Sequence, residues 1–183
     1  MRTTFEITTA LRDEATRRAA FDRLTGEYLR PLYWHVRRLV VSHEEAEDVV
    51  QETFVRAYDR IGAFRGGDGE LRAWLYSIAT RAALSALRRR RRSIFVSLDA
   101  VSRELAGAVA EAAGPDADEV SVRFQQAVLG LPEKQRLVFN LRYYDGLPYA
   151  EIARILGQRE ESLKVNYHHA VTKLKEKLKT ETI

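Results

Sequence analysis

Apolar residues recur at a helical spacing over most of the chain. From Ala46 to Ile61, the positions Ala46, Val49, Val50, Thr53, Phe54, Ala57, Tyr58 and Ile61 step by three and four and form one face. Ser42 ahead of Glu44 and Glu45 offers an N-cap followed by first-turn acids, so a helix starts there. Asp48, Gln51, Glu52 and Asp59 fall on the opposite, polar face. A second helix is predicted from about Leu71 to Arg92, with Trp74, Leu75, Ile78, Ala82, Leu84 and Leu87 inward. Ahead of both lies a helical stretch from about Thr16 to Val41, expected to break at Pro31, which lacks a backbone donor. No segment sustains a two-residue alternation, so no sheet is expected and the fold class is all-α.

The C-terminal block has sharper punctuation. Leu131-Pro132-Glu133-Lys134-Gln135-Arg136 opens a helix, since proline suits a first helical position with an acid behind it. That helix continues through Val138, Leu141 and Tyr144 and stops at Asp145-Gly146. Tyr149 to Leu156 forms a short helix ended by Gly157, which suits a left-handed cap. After the turn Gln158-Arg159-Glu160-Glu161, a longer helix runs from Ser162 to about Leu178. Helix, glycine turn and helix together make a helix-turn-helix, with Ala153 small where the two helices cross. At about 100° per residue, Leu163, Tyr167, Ala170, Val171, Leu174 and Leu178 share one face. Val165, His168, His169, Thr172 and Glu176 point away from it, with Lys164, Asn166 and Lys173 on the flanks.

Length and charge change this picture in two ways. The 183 residues suffice for one ordinary domain or two small ones. Residues 1–92 carry 18 arginines, no lysine and 13 acids, a net of +5; residues 93–119 carry one base and six acids, a net of −5; residues 120–183 carry 11 bases and seven acids, a net of +4. An acidic stretch thus separates two basic blocks, and it has linker composition, with Gly114-Pro115 stopping any helix and a short helix expected around Leu105 to Ala110. The reading is two small helical domains, 1–92 and 120–183, joined by an acidic linker at 93–119. Basic blocks suit a polyanionic partner such as nucleic acid, although a solvated surface would give the same balance.

Chemistry is sparse. The chain has no cysteine, which excludes a disulfide framework, a thiolate metal site and a cysteine nucleophile. His168 and His169 diverge by about 100° on a helix and would not chelate one ion together, and no metal cluster or cofactor motif is recognisable. The loop Gly62 to Gly69 lacks the Lys-Ser/Thr and preceding strand of a phosphate cradle, so it reads as a flexible interhelical loop. No nucleophile–base–acid constellation is evident, which argues against an enzyme. No apolar run reaches membrane-spanning length and the N-terminus lacks a secretory core, so the expected location is the cytoplasm, without membrane insertion.

Glu45-Ala46-Glu47-Asp48-Val49-Val50-Gln51-Glu52-Thr53-Phe54 and Arg72-Ala73-Trp74-Leu75-Tyr76-Ser77-Ile78-Ala79 resemble the second region of bacterial sigma factors. Leu131-Pro132-Glu133-Lys134-Gln135-Arg136 and Glu151-Ile152-Ala153-Arg154-Ile155-Leu156-Gly157 resemble the fourth. Their order, the short linker and the length resemble the extracytoplasmic-function (ECF) group. The resemblance implies an initiation factor that binds core RNA polymerase and promoter DNA and is controlled by an anti-sigma factor. It places Asp48, Gln51 and Glu52 at the polymerase clamp, and the loop with Phe64 and Arg65 where a flipped −10 base is captured. Phe64 is either the stacking platform that offsets the cost of ejecting a base or a plug of the helix junction. Tyr76, Ser77, Thr80, Arg81, Ser85 and Arg88 lie along the −10-facing helix, with the arginines of 88–92 available for phosphates. Arg81 and Ser85 stand where the family usually carries Asn and Asp.

In the recognition helix, Arg159, Ser162, Lys164, Val165, Asn166, His168, His169 and Lys173 are the −35 candidates. Asn166 and His169 replace commoner arginines of the family. The acidic linker is either a mimic of nucleic acid in the polymerase cleft or a plain spacer. The alternative to a sigma factor is a stand-alone helix-turn-helix regulator that ignores polymerase.

Overall fold

A computed structural model describes residues 5–40, 42–93 and 119–180. The linker expectations, including the helix around Leu105 to Ala110, lie outside the described residues. Among the described residues all regular structure is helical. Four helices form the N-terminal part: α1 (Phe5–Arg12), α2 (Arg17–Val40), α3 (His43–Ile61) and α4 (Asp68–Ser93). The C-terminal part holds α5 (Glu119–Leu129), α6 (Glu133–Phe139), a π-helical turn (Asn140–Tyr144), α7 (Tyr149–Leu156) and α8 (Glu160–Thr180).

The start of α3 is set by Ser42, whose Oγ accepts the Glu45 N–H at 3.3 Å. Its apolar stripe is buried between α2 and α4 from Ala46 to Ile61, except that Tyr58 stays 44% exposed and packs edge-on against Phe21. Pro31 does not break α2, contrary to expectation. It sits on the exposed side, while Ala20, Phe21 and Leu24 before it and Leu32, Val36, Leu39 and Val40 after it are all buried. Each large apolar side chain fully buried contributes about 1.5–3 kcal/mol, so anchors on both sides outweigh the lost hydrogen bond and ring clash.

Two elements absent from the sequence reading complete the fold. α1 buries Leu11 beside α2 and α4, and its Thr8 N–H donates to Asp68 Oδ1 at 3.2 Å, a cap supplied from the start of α4. α5 packs Ala127 and Val128 into a second cluster with Leu131, Phe139, Ala170 and Leu174.

The helix-turn-helix forms as predicted in outline. Pro132 occupies the N-cap position of α6, one residue before the expected place, and α8 starts at Glu160 rather than Ser162. The end of the preceding helix widens into the π turn, where the Asp145 N–H reaches back to the Asn140 carbonyl. Gly157 ends α7 at φ 63, with its N–H donating to the Ala153 carbonyl. A Cβ there would touch nothing within 4 Å, so alanine would meet only the left-handed backbone penalty. Gly157→Ala is expected to lower the unfolding free energy by about 1 kcal/mol in urea titrations, and Gly157→Asn by less.

The two parts are not held apart. Leu137, Val138, Leu141, Leu147, Ile152, Ile155 and Leu163 belong to the same buried cluster as the cores of α2, α3 and α4. α7 lies against α4, and the π turn lies against α2.

Candidate nucleic-acid interface

On α3, Asp48 and Gln51 are exposed, and Glu52 is half-buried with its carboxylate accepting from Arg56 Nη2 one turn on. Val55 continues the stripe and is 56% exposed, so the acids flank an uncovered apolar spot. Beside this face runs a groove lined by Ser42, Glu44, Asp48, Glu52, Ala86 and Arg89.

The loop between α3 and α4 is pinned rather than free. Arg12 Nε donates to the Phe64 carbonyl at 3.2 Å, and its Nη2 to the Gly66 carbonyl at 2.7 Å. Arg65 Nη1 donates to the Gly62 carbonyl at 2.8 Å, and the Gly67 N–H to Glu70 Oε2 at 2.8 Å. The Phe64 ring lies 4.9 Å from Trp74, tilted by 39°. A Cβ at Gly66 would come within 2.5 Å of that ring, so glycine makes room for it. Here Phe64 and Trp74 are each half-buried and cover one another; Arg65 is exposed.

The −10 candidates on α4 divide. Ser77, Arg81, Ser85 and Arg88 share a stripe, of which Arg81 and Arg88 are exposed and Ser85 half-buried. Tyr76, Ser77 and Thr80 do not lie open as expected; they are 4%, 7% and 2% exposed. The reason is tertiary: Tyr76 and Thr80 meet His35 of α2, whose ring lies 5.0 Å from that of Tyr76, while α7 packs along the same helix. Arg72 Nε and Nη2 donate to Glu151 Oε2 and Oε1 at 2.9 and 2.6 Å, a two-pronged pair. His35 lies between Asp145 Oδ2 at 2.8 Å, through Nδ1, and Thr80 Oγ1 at 2.9 Å, through Nε2. Arg38 Nη1 donates to Asp145 Oδ1 at 2.9 Å, and its guanidinium lies 4.4 Å from the Tyr144 ring centre. Ser77 Oγ turns inward to donate to the Trp74 carbonyl at 2.7 Å.

Asp145, His35 and Thr80 line up a carboxylate, an imidazole and a hydroxyl. His35 is fully buried and Thr80 is 2% exposed, so no substrate can reach the hydroxyl, and the chain ties elements together. Arg12, His35, Arg38, Asp145 and Glu151 had no local signal, since their partners lie between 45 and 110 residues away in sequence.

Burial is the leading cause that raises the phenol pKa values of Tyr28, Tyr76 and Tyr144, with Tyr144 pushed up to about 12. Unfolded tyrosines ionise near pH ~10. Above that the unfolded chain gains charge first, so stability present at lower pH is lost as pH climbs toward the folded values. Urea midpoints are therefore expected to fall between about pH 10 and pH 12. A flat profile there would show that these phenols are not withdrawn from water.

On α8, Ser162, Lys164, Val165, His168, His169 and Lys173 are exposed and Asn166 is half-buried, while Leu163, Ala170 and Leu174 are buried. Arg159 is exposed in the turn ahead of it. His168 and His169 splay, with ring centres 6.1 Å apart, and among the described residues no group of three metal-ligating side chains exists. No helix among them is long and apolar enough to cross a membrane.

Comparison with known proteins fits this layout. The Sigma-70 region 2 family model matches residues 24–93, and the Sigma-70 region 4 model matches residues 121–174. The chain is 34% identical to the RNA polymerase sigma-H factor of Pseudomonas aeruginosa, over 75% of each chain. It is 30% identical to the ECF RNA polymerase sigma factor SigW of Bacillus subtilis, over 87% of this chain and 89% of that one. It is 37% identical to the ECF RNA polymerase sigma-E factor of Escherichia coli K12, over 75% of each. Among solved structures it resembles the sigma factor RpoE of Bartonella quintana in complex with the anti-sigma factor NepR (TM-score 0.71, 26% identity, 87% of this chain and 96% of that one). CnrH, solved with the cytosolic domain of CnrY, shares the fold (TM-score 0.71, 22% identity, 97% of each chain). A stand-alone regulator would need only the helix-turn-helix, whereas both matched regions stand here in order, and the chain belongs to the ECF group of RNA polymerase sigma factors.

Proposed function

We propose that this chain docks on core RNA polymerase in the cytoplasm through Asp48, Gln51 and Glu52 and directs it to promoters with two elements. Residues 1–92 form the polymerase and −10 module, 93–119 the connector and 120–183 the −35 module. Arg81, Ser85, Arg88 and Arg65 contact the −10 region, joined by Phe64, Tyr76, Ser77 and Thr80 where the polymerase-bound form uncovers them. Arg159, Ser162, Lys164, Val165, Asn166, His168, His169 and Lys173 present to the −35 major groove. The factor does no covalent chemistry itself, and an anti-sigma factor holds it in check.

The observation that carries this reading is the exposed polar stripe of α3 together with the exposed front of α8 in a chain matching both sigma regions. Run-off transcription with purified core enzyme and a promoter library tests it. Discrete transcripts that require the chain are expected. No transcript, with tight duplex binding by the chain alone, would instead make it a regulator that ignores polymerase. Within that assay, Lys164→Ala is expected to weaken −35 binding by about 1–3 kcal/mol if Lys164 reaches a base edge, and by less, with a shallower salt slope, if it neutralises a phosphate.

A further inference from the structure

The loop between α3 and α4 owes its shape to a residue outside it. Arg12, at the end of α1, places Nε on the Phe64 carbonyl at 3.2 Å and Nη2 on the Gly66 carbonyl at 2.7 Å. Those two nitrogens form one edge of the planar guanidinium, so a single side chain fixes two carbonyls of the loop at once. A lysine ammonium is one flexible donor atom and presents no such edge. The loop's own ties, from Arg65 to the Gly62 carbonyl and from the Gly67 N–H to Glu70, secure its two ends, and its middle is held from α1.

α1 is in turn anchored on both sides. Leu11 is fully buried, the Thr8 N–H donates to Asp68 Oδ1 at 3.2 Å, and Arg17 donates to the Leu11 and Arg12 carbonyls at 3.1 and 3.2 Å. Asp68 opens α4, so α1 grips both the loop and the helix that follows it. α1 also lies ahead of the stretch matched by Sigma-70 region 2, which starts at residue 24.

The tie has a direction. The described peptide bonds are trans, and across a trans peptide the carbonyl and the following N–H point opposite ways. Holding the Phe64 carbonyl on Arg12 therefore turns the Arg65 N–H away from α1, and the Arg65 side chain is exposed. A donor fixed before a nucleotide arrives needs no ordering when the nucleotide binds.

We propose that Arg12 is a positioning residue for the −10 single strand: its guanidinium fork holds the α3–α4 loop in the shape that receives a base, with α1 as the brace. The inference rests on the functional reading above, which gives this loop to −10 DNA, and adds the residue that shapes it. Arg12 acts through the loop backbone and not as a phosphate ligand, because its Nε and Nη2 donors are engaged by carbonyls.

The test uses holoenzyme reconstituted from core polymerase and the full chain. Arg12→Ala and Arg12→Lys are compared with wild type and with Arg18→Ala, which removes the same charge from an exposed position nearby. Arg12 is exposed, so its replacement opens no cavity. The probe is a fluorescein-labelled non-template −10 single strand of ~20 nucleotides, taken from a promoter that the run-off library yields and read by anisotropy over a range of salt. Elution with core enzyme and binding of the −35 duplex are measured alongside.

Both Arg12 variants are expected to bind the single strand about tenfold more weakly. Their salt slope, core binding and −35 duplex binding should match wild type, and Arg18→Ala should change far less. Wild-type affinity in Arg12→Lys, or a salt slope shallower by about one in Arg12→Ala, would make Arg12 a phosphate ligand and overturns the proposal. Unchanged strand affinity in both variants also overturns it, as does a parallel loss of core binding, which would mark a general role in the fold. In each of these cases wild-type holoenzyme still initiates transcription. A wild-type chain that yields no transcripts overturns the functional reading and the role of Arg12 with it.

Discussion

Replacing Asp48, Gln51 and Glu52 together by alanine is expected to weaken binding to core RNA polymerase by about a hundredfold, corresponding to roughly 1 kcal/mol for each side chain. The three lie on one stripe of α3 facing away from the buried one, so their loss opens no cavity. The pair of Glu52 with Arg56 is a half-buried one-turn pair, whose removal costs a few tenths of a kcal/mol. The variant should therefore keep its urea midpoint while losing polymerase, and that divergence is the diagnostic. Exposed Val55, in the same stripe, gives the contact an apolar centre that the acids surround. Unaltered affinity of the triple variant for core enzyme would move the docking surface off α3.

The largest effect on stability is expected from His35→Leu, at about 2–3 kcal/mol. Leucine fills much of the space, so the loss is mainly polar. Asp145, almost sealed from water, keeps only Arg38, and Thr80 on α4 loses its partner on α2. Stranding a buried carboxylate costs more than a surface pair of similar length would. Asp145→Asn should cost less, because the amide oxygen can still accept from Arg38 Nη1 while the amide NH2 faces His35 Nδ1, a ring nitrogen that accepts in one of its tautomers. Urea unfolding followed by circular dichroism and by tryptophan fluorescence checks this, with coincident curves required before free energies are compared. Equal midpoints for wild type and His35→Leu would mean that the histidine does not join the halves.

The elements legible in the sequence were those whose signals are local. The stripe of α3, its Ser42 cap, the Gly157 stop and the inward face of α8 all depend on neighbours within a turn or two, and each stands where the spacing put it. Pro31 leaves α2 unbroken although its local sequence signals a break, because proline's local penalty is fixed while the anchoring residues on either side act through tertiary burial. α1 is eight residues long and is capped by Asp68 from sixty residues away, so nothing in its own sequence marks it.

For the site, solvent-facing positions on α3 and α8 followed from helical period alone. On α4 the period could not show that α2 and α7 both pack against it. Tyr76 and Thr80 meet His35 of α2, which Asp145 holds from the other side, so their burial is written outside α4. The pinned loop likewise depends on Arg12, which the sequence leaves as one arginine among many.

Elution with purified bacterial core RNA polymerase on a sizing column measures most directly whether α3 docks the transcribing enzyme. Wild-type chain should travel in the polymerase peak at one copy per core, and the Asp48/Gln51/Glu52 triple-alanine chain should run alone. Wild-type chain that elutes apart from core enzyme at micromolar concentrations would contradict the assignment.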